Sequence, residues 1–233
     1  MPVEKKTELE QLISDIHTYH INYHTREIYL HSAYSVFDEI SGEAGVEYRM
    51  ATTFIKNLHV LAGQSLSPIL VHMHSVGGEW ADGMAVFDSI RFSQVPISII
   101  AYAQASSMSG IILQAADYRV LSPECDFMIH HGSIAISADS VAAKSTIDVN
   151  ERLCKRMLSI FAKRAKDGTF FKERKYNENR IKAYLDRKIK DKGDWYLTAE
   201  EAVYYGFADA ILGDENAENF EELKIIEKYN KTI

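Results

Sequence analysis

The chain has 233 residues, 46% hydrophobic and 25% charged, enough for one globular domain with a sizeable core. Its formal charge of −7 argues against non-specific binding of nucleic acid. No apolar run is long enough to span a bilayer, no apolar signal segment follows Met1, and Cys125 and Cys154 lack metal-ligand spacing, so a cytoplasmic protein with no membrane partner, no metal and no cofactor is expected.

Residues 1–25 read as a polar N-terminal segment, in which His17, His20 and His24 are spaced to share a helix face. Glu27–Leu30 reads as a first strand. Val46, Met50, Phe54, Leu58 and Leu61 recur at three- and four-residue steps and predict a helix. Ser67-Pro68 then breaks the chain before a strand, Ile69–His74, with His72 and His74 on one face, that runs into Ser75-Val76-Gly77-Gly78. A helix is predicted over Ala81–Phe92. Pro96 introduces the apolar strand Ile97–Ala103, helical residues run from about Ser107 to Ala116, and short strands follow at Tyr118–Leu121 and Phe127–His130. This alternation predicts an α/β fold of βαβ units with a largely parallel sheet.

The pattern changes after residue 137. Ala138–Lys166 is one long helical stretch with an apolar stripe of Val141, Ile147, Val149, Leu153, Met157 and Phe161. Residues 172–192 hold nine Lys/Arg against four Asp/Glu, a solvated helix face or a docking surface for an acidic partner. The globular pattern returns at Asp194–Leu212, and an acidic tail begins at Gly213. The expected division is therefore a head domain over 26–137, a helical arm over 138–193, completion of the head over 194–212, and a tail over 213–233.

Four segments could carry chemistry. In Ala105-Ser106-Ser107-Met108-Ser109-Gly110 a buried strand gives way to a helix, where a hydroxyl sits near unpaired N–H groups and can be exposed as a nucleophile. Capping alone would also explain serines there. Gly77-Gly78 can point backbone N–H groups into a cleft and stabilise an oxyanion. His130 and His131 end a strand, and histidine is the usual proton acceptor for a serine. Asp194 precedes a capping box, Thr198 with Glu201, where a loop can hold it against an imidazole. Each feature is ordinary; all four in this order are not.

Together they resemble the Clp protease proteolytic-subunit (ClpP) family over about Arg26–Leu212. Ser75-Val76-Gly77-Gly78 is similar to its Ser-Pro-Gly-Gly turn, Gln104-Ala105-Ser106-Ser107-Met108 to its Gln-Ala-Ala-Ser-Met, and Met128-Ile129-His130 to its Met-Ile-His. Asp194–Ala202 with Tyr205-Gly206-Phe207-Ala208-Asp209 is similar to its closing block. The resemblance implies Ser107 as nucleophile, His130 as general base, Asp194 as its orienter, and the N–H groups of Gly78 and Met108 as an oxyanion hole. It further implies a crotonase-like spiral fold and a serine endopeptidase acting on unfolded polypeptide. Its subunits would form heptameric rings, pairing into tetradecamers through the arm, and an ATP-dependent unfoldase would feed them. Phage-type members would process capsid or scaffold. Val76 stands where the family has proline, Ser109-Gly110 where it has Gly-Ala, and the first 25 residues lack its axial-pore pattern. A catalytically silent ring-forming homologue and a crotonase-type acyl-CoA enzyme are the competing readings.

Overall fold

The computed structural model describes residues 6–31, 45–134 and 136–225. Its strands are β1 (Ile21–Asn22), β2 (Glu27–Leu30), β3 (Ile69–Ser75), β4 (Ile97–Ser106), β5 (Tyr118–Leu121), β6 (Asp126–Ile129), β7 (Trp195–Leu197) and β8 (Ala210–Ile211). They form one sheet in which β2, β3, β4, β5 and β8 lie side by side in parallel and β1 adds an antiparallel edge. The α/β architecture expected from the alternation of elements is present.

The ten-residue β4 is longer than its apolar run predicted, and it changes partner along its length. Ser98–Ala101 pair with β5, whereas Gln104–Ser106 pair with β6. Between these stretches Ala103 adopts φ +55°, and the register against β3 shifts between Met73 and Ser75. Such an irregularity bends a strand and increases its twist. The sheet therefore turns at Ala103, and β6, with β7 antiparallel beside it, forms a second portion.

Alternate residues of β3–β5 face opposite ways, so both faces must be covered. On one face Ile69, Val71, Ile97, Ile99 and Leu121 belong to the main core, with α2 (Tyr48–Gln64), α3 (Trp80–Arg91) and α4 (Met108–Leu113). On the other, Leu70, Ile100 and Val120 form a smaller core with Ala210, Ala217 and Leu223. The segment from Gly213 read as an acidic tail thus lies against the sheet through Ala217 and Leu223, and Lys224 pairs with Glu27 at 2.7 Å.

An N-terminal helix, α1 (Glu8–Tyr19), starts at a Thr7–Glu10 capping box. It ends where His20 turns left-handed, so His20 and His24 lie beyond it and share no helix face with His17. His20 contacts His31 at 3.2 Å instead.

The long helix α5 (Ser140–Ala165) starts where Asp139 accepts from the Val141 and Ala142 N–H groups. At 26 residues it is roughly 39 Å long. Its apolar stripe divides: Met157 and Phe161 are buried in the main core, whereas Val141, Ile147 and Val149 are exposed. After α6 (Thr169–Glu173), α7 (Glu178–Lys192) runs back along α5 and buries Ile181, Leu185 and Ile189. The basic stretch is the outer face of this helix, with Lys182–Glu178 and Lys190–Asp186 pairs at 2.7 Å along it. The predicted Thr198–Glu201 capping box starts α8 (Ala199–Tyr205). Phe170, Tyr184, Trp195, Tyr205 and Phe207 pack in tilted, edge-to-face and stacked pairs, tying α6, α7 and α8 to β7. No helix among the described residues is long and apolar enough to cross a membrane.

Candidate active site

Three neighbouring strand ends bring the candidate groups together. Ser106 of β4 pairs in parallel with Met128 of β6, and Ile129 of β6 pairs antiparallel with Trp195 of β7. Ser107, His130 and Asp194 each lie one residue outside these pairings and meet at the same edge. His130 Nε2 is 2.7 Å from Ser107 Oγ, and His130 Nδ1 is 3.1 Å from Asp194 Oδ1. An ionised carboxylate only accepts hydrogen bonds, so Nδ1 carries the proton there and Nε2 accepts from the serine hydroxyl.

The backbone at Ser107 is strained. It has φ +55° and ψ −123°, a conformation costing a non-glycine residue about 1–3 kcal/mol. Its N–H is anchored on the Met128 carbonyl at 2.9 Å. Although Ser107 occupies the N-cap position of α4, its side chain makes no cap bond and faces His130. Ser106 and Ser109 are both buried. Of the three serines, Ser107 alone hydrogen-bonds a histidine among the described residues. His131 points elsewhere, with Nε2 3.2 Å from Asp186 of α7.

The glycine turn lies directly against the serine. Gly77 has φ +100°, and a Cβ there would sit 2.6 Å from Ser107 Cβ, 2.7 Å from the Ser106 carbonyl oxygen and 2.9 Å from the Met108 nitrogen. No side chain fits that gap. Val46, expected within the helical stripe of α2, instead bridges this turn: its N–H donates to the Gly77 carbonyl at 2.6 Å, and the Val46 carbonyl accepts from Glu79 N–H at 2.9 Å. Met108 opens α4, where first-turn N–H groups lack helical acceptors. Among the described residues neither the Gly78 nor the Met108 N–H donates to a backbone carbonyl. Both residues line one cleft of about 450 Å³ with Ser107 and His130.

Trp80 of α3 and Asn150, Leu153, Cys154 and Met157 of α5 complete that cleft. Sequence reasoning did not assign these residues to the site; the signal available was the inward stripe of α5. Burial, and then the Asp186 carboxylate, raise the pKa of the Cys154 thiol. Burial pushes the Cys125 thiol up to about 12. His72 and His74 belong to the opposite face, where His72 bonds Tyr102 Oη at 2.8 Å and stacks on Tyr29. No group of three His, Cys, Asp or Glu among the described residues is placed to hold a metal ion.

The chain is similar to known proteins over most of its length. The family model described as Clp protease matches residues 30–215. The chain is 31% identical over 173 residues to the ATP-dependent Clp protease proteolytic subunit 2 of Pseudomonas aeruginosa, covering 73% of this chain and 79% of that protein. It is 26% identical over 181 residues to the ATP-dependent Clp protease proteolytic subunit of Deinococcus radiodurans, covering 75% and 79%.

Proposed function

The chain belongs to the Clp protease family, and from that premise we propose that it is a serine endopeptidase cleaving unfolded polypeptide, with Ser107, His130 and Asp194 as its catalytic triad. The observation that carries this reading is the unbroken line from Ser107 Oγ through the imidazole to Asp194, at 2.7 and 3.1 Å. Ser107 Oγ attacks the scissile carbonyl as its proton passes to His130 Nε2. Asp194 holds the Nδ1–H and stabilises the imidazolium. The Gly78 and Met108 N–H groups face the oxyanion, a stabilisation of roughly 3–4 kcal/mol per donor. His130 then protonates the leaving amine, and water repeats the sequence to release the acyl group.

The subunits assemble into rings to which an ATP-driven partner feeds polypeptide; the names of both relatives describe a proteolytic subunit of an ATP-dependent protease. Support for ring pairing comes from α5, where Val141, Ile147 and Val149 of its N-terminal half stand exposed in a single copy. Met157 is not among these exposed residues. It is buried in the chain's own core, so a charge there would disturb folding rather than assembly alone.

The test is Ser107→Ala. Peptide hydrolysis should fall by ~10³-fold or more, and labelling by a fluorophosphonate probe should vanish while the sedimenting mass is preserved. Ser106→Ala and Ser109→Ala should retain most activity. Full turnover by Ser107→Ala would sink the triad, and an assembled wild type that neither hydrolyses peptide nor takes the probe would be a non-catalytic ring component.

A further inference from the structure

Away from the cleft, α3 and α5 enclose a groove of about 670 Å³. Arg91, Arg152, Lys155, Arg156, Lys163 and Lys166 line it, and Asp88 is the single carboxylate among the described lining residues. Phe92 stands at the groove with 84% of its surface exposed. The groove is thus strongly basic in a chain of net charge −7, and an aromatic ring is left in water beside it.

The complementary surface is on the same chain. Asp214, Glu215, Glu218, Glu221 and Glu222 follow one another with no Lys or Arg between them, around Phe220, which is 41% exposed. Lys224 neutralises this strip only in part, because it is shared between Glu27 at 2.7 Å and Glu221 at 3.2 Å. The two surfaces cannot meet within one copy. Phe87 and Met84 of the groove pack into the core on one side of the sheet, whereas Ala217 and Leu223 of the strip pack on the other.

We propose that the basic groove between α3 and α5 receives the acidic 214–222 strip of a second copy of this chain. Different patches of one molecule then meet, which is a head-to-tail contact, and such contacts close into rings when the rotation between copies allows. Opposed charge steers the encounter and sets the register, while Phe92 and Phe220 supply apolar surface to bury. The inference rests on the assembly part of the proposed function and is independent of the triad.

The experiment is sedimentation of full-length protein with charge reversals at exposed positions outside the catalytic cleft. Arg152→Glu with Lys166→Glu reverses the groove, and Glu215→Lys with Glu218→Lys reverses the strip. Each double variant should associate roughly tenfold or more weakly than wild type at low salt. Mixing the two should restore the large species, because each then offers the surface the other lacks. A single chain carrying all four changes should also assemble, which answers any concern that either variant is misfolded. Wild-type assembly unchanged by either reversal, or no rescue on mixing, overturns the proposal and leaves ring assembly standing. A wild type that stays monomeric overturns both, while fluorophosphonate labelling of Ser107 would still stand.

Discussion

Gly77→Ala tests whether the glycine turn and the serine turn are one rigid unit. The alanine Cβ would lie 2.6 Å from Ser107 Cβ and 2.7 Å from the Ser106 carbonyl oxygen, both held by anchored backbone. Relieving the first contact to an ordinary separation of 3.4 Å requires the two turns to part by about 0.8 Å. At φ +100° the new side chain adds backbone strain of about 1–3 kcal/mol, with overpacking of similar size. A displacement near 1 Å in a catalytic array lowers turnover by roughly 10²-fold. Hydrolysis of a fluorogenic peptide should therefore fall by about that factor or more, measured well below the unfolding temperature. The midpoint of denaturant unfolding should fall as well. Gly213→Ala is the control, since φ is +105° there but nothing lies within 4 Å of the added carbon. It should lose some stability and keep wild-type turnover. A Gly77→Ala protein with undiminished turnover would refute the argument that these turns are locked together.

Two further outcomes follow from buried charges outside the site. Arg119 is 4% exposed and bonds Asp209, the Gln114 side chain at 2.7 Å and the Gly206 carbonyl at 2.8 Å; Asp209→Ala strands that guanidinium, and urea unfolding should show a loss of about 3–5 kcal/mol, whereas a loss near zero would contradict the pairing. Burial alone would raise the Glu27 pKa, but the His72 imidazole at 3.7 Å and the Lys224 ammonium at 2.7 Å override it and hold the carboxyl at about 2 against an ordinary 4.5. A depressed folded-state pKa stabilises above the unfolded value and ceases to as pH falls through the folded one. Stability should thus decline between about pH 4.5 and 2, and Glu27→Gln should remove this part of the acid dependence in denaturant titrations; an unchanged acid profile would count against it.

Much of the framework was legible residue by residue. The strands at Glu27–Leu30 and Tyr118–Leu121, the helix over Trp80–Arg91 and the capping box at Thr198 all rest on periodicity or on bonds between residues three apart. The four chemical segments were recognisable for the same reason, since each is a short run of neighbours. What local pattern could not choose on its own was between Ser107 and its neighbours, or between His130 and His131; there the resemblance to a family implied Ser107 and His130, and the structure sets those two side chains 2.7 Å apart.

Other features depend on residues far apart in the chain. The bend of β4 at Ala103 arises because one strand must satisfy β5 and then β6, and no local pattern announces the change of partner. Val46 looks like one more apolar helix position until its backbone is seen bridging the Gly77 turn. The acidic composition from Gly213 hides Ala217 and Leu223, which are buried only because Leu70, Ile100 and Val120 leave a second sheet face to cover. The stripe of α5 is uniform in sequence, yet the surrounding elements bury its C-terminal half and leave its N-terminal half exposed. Above all, His130 and Asp194 are 64 residues apart, and their contact is set by the pairing of β6 with β7, which the aromatic packing of α6, α7 and α8 holds in place. Periodicity records only which way each side chain points along its own element; which element it meets is decided by how all of them bury their faces at once.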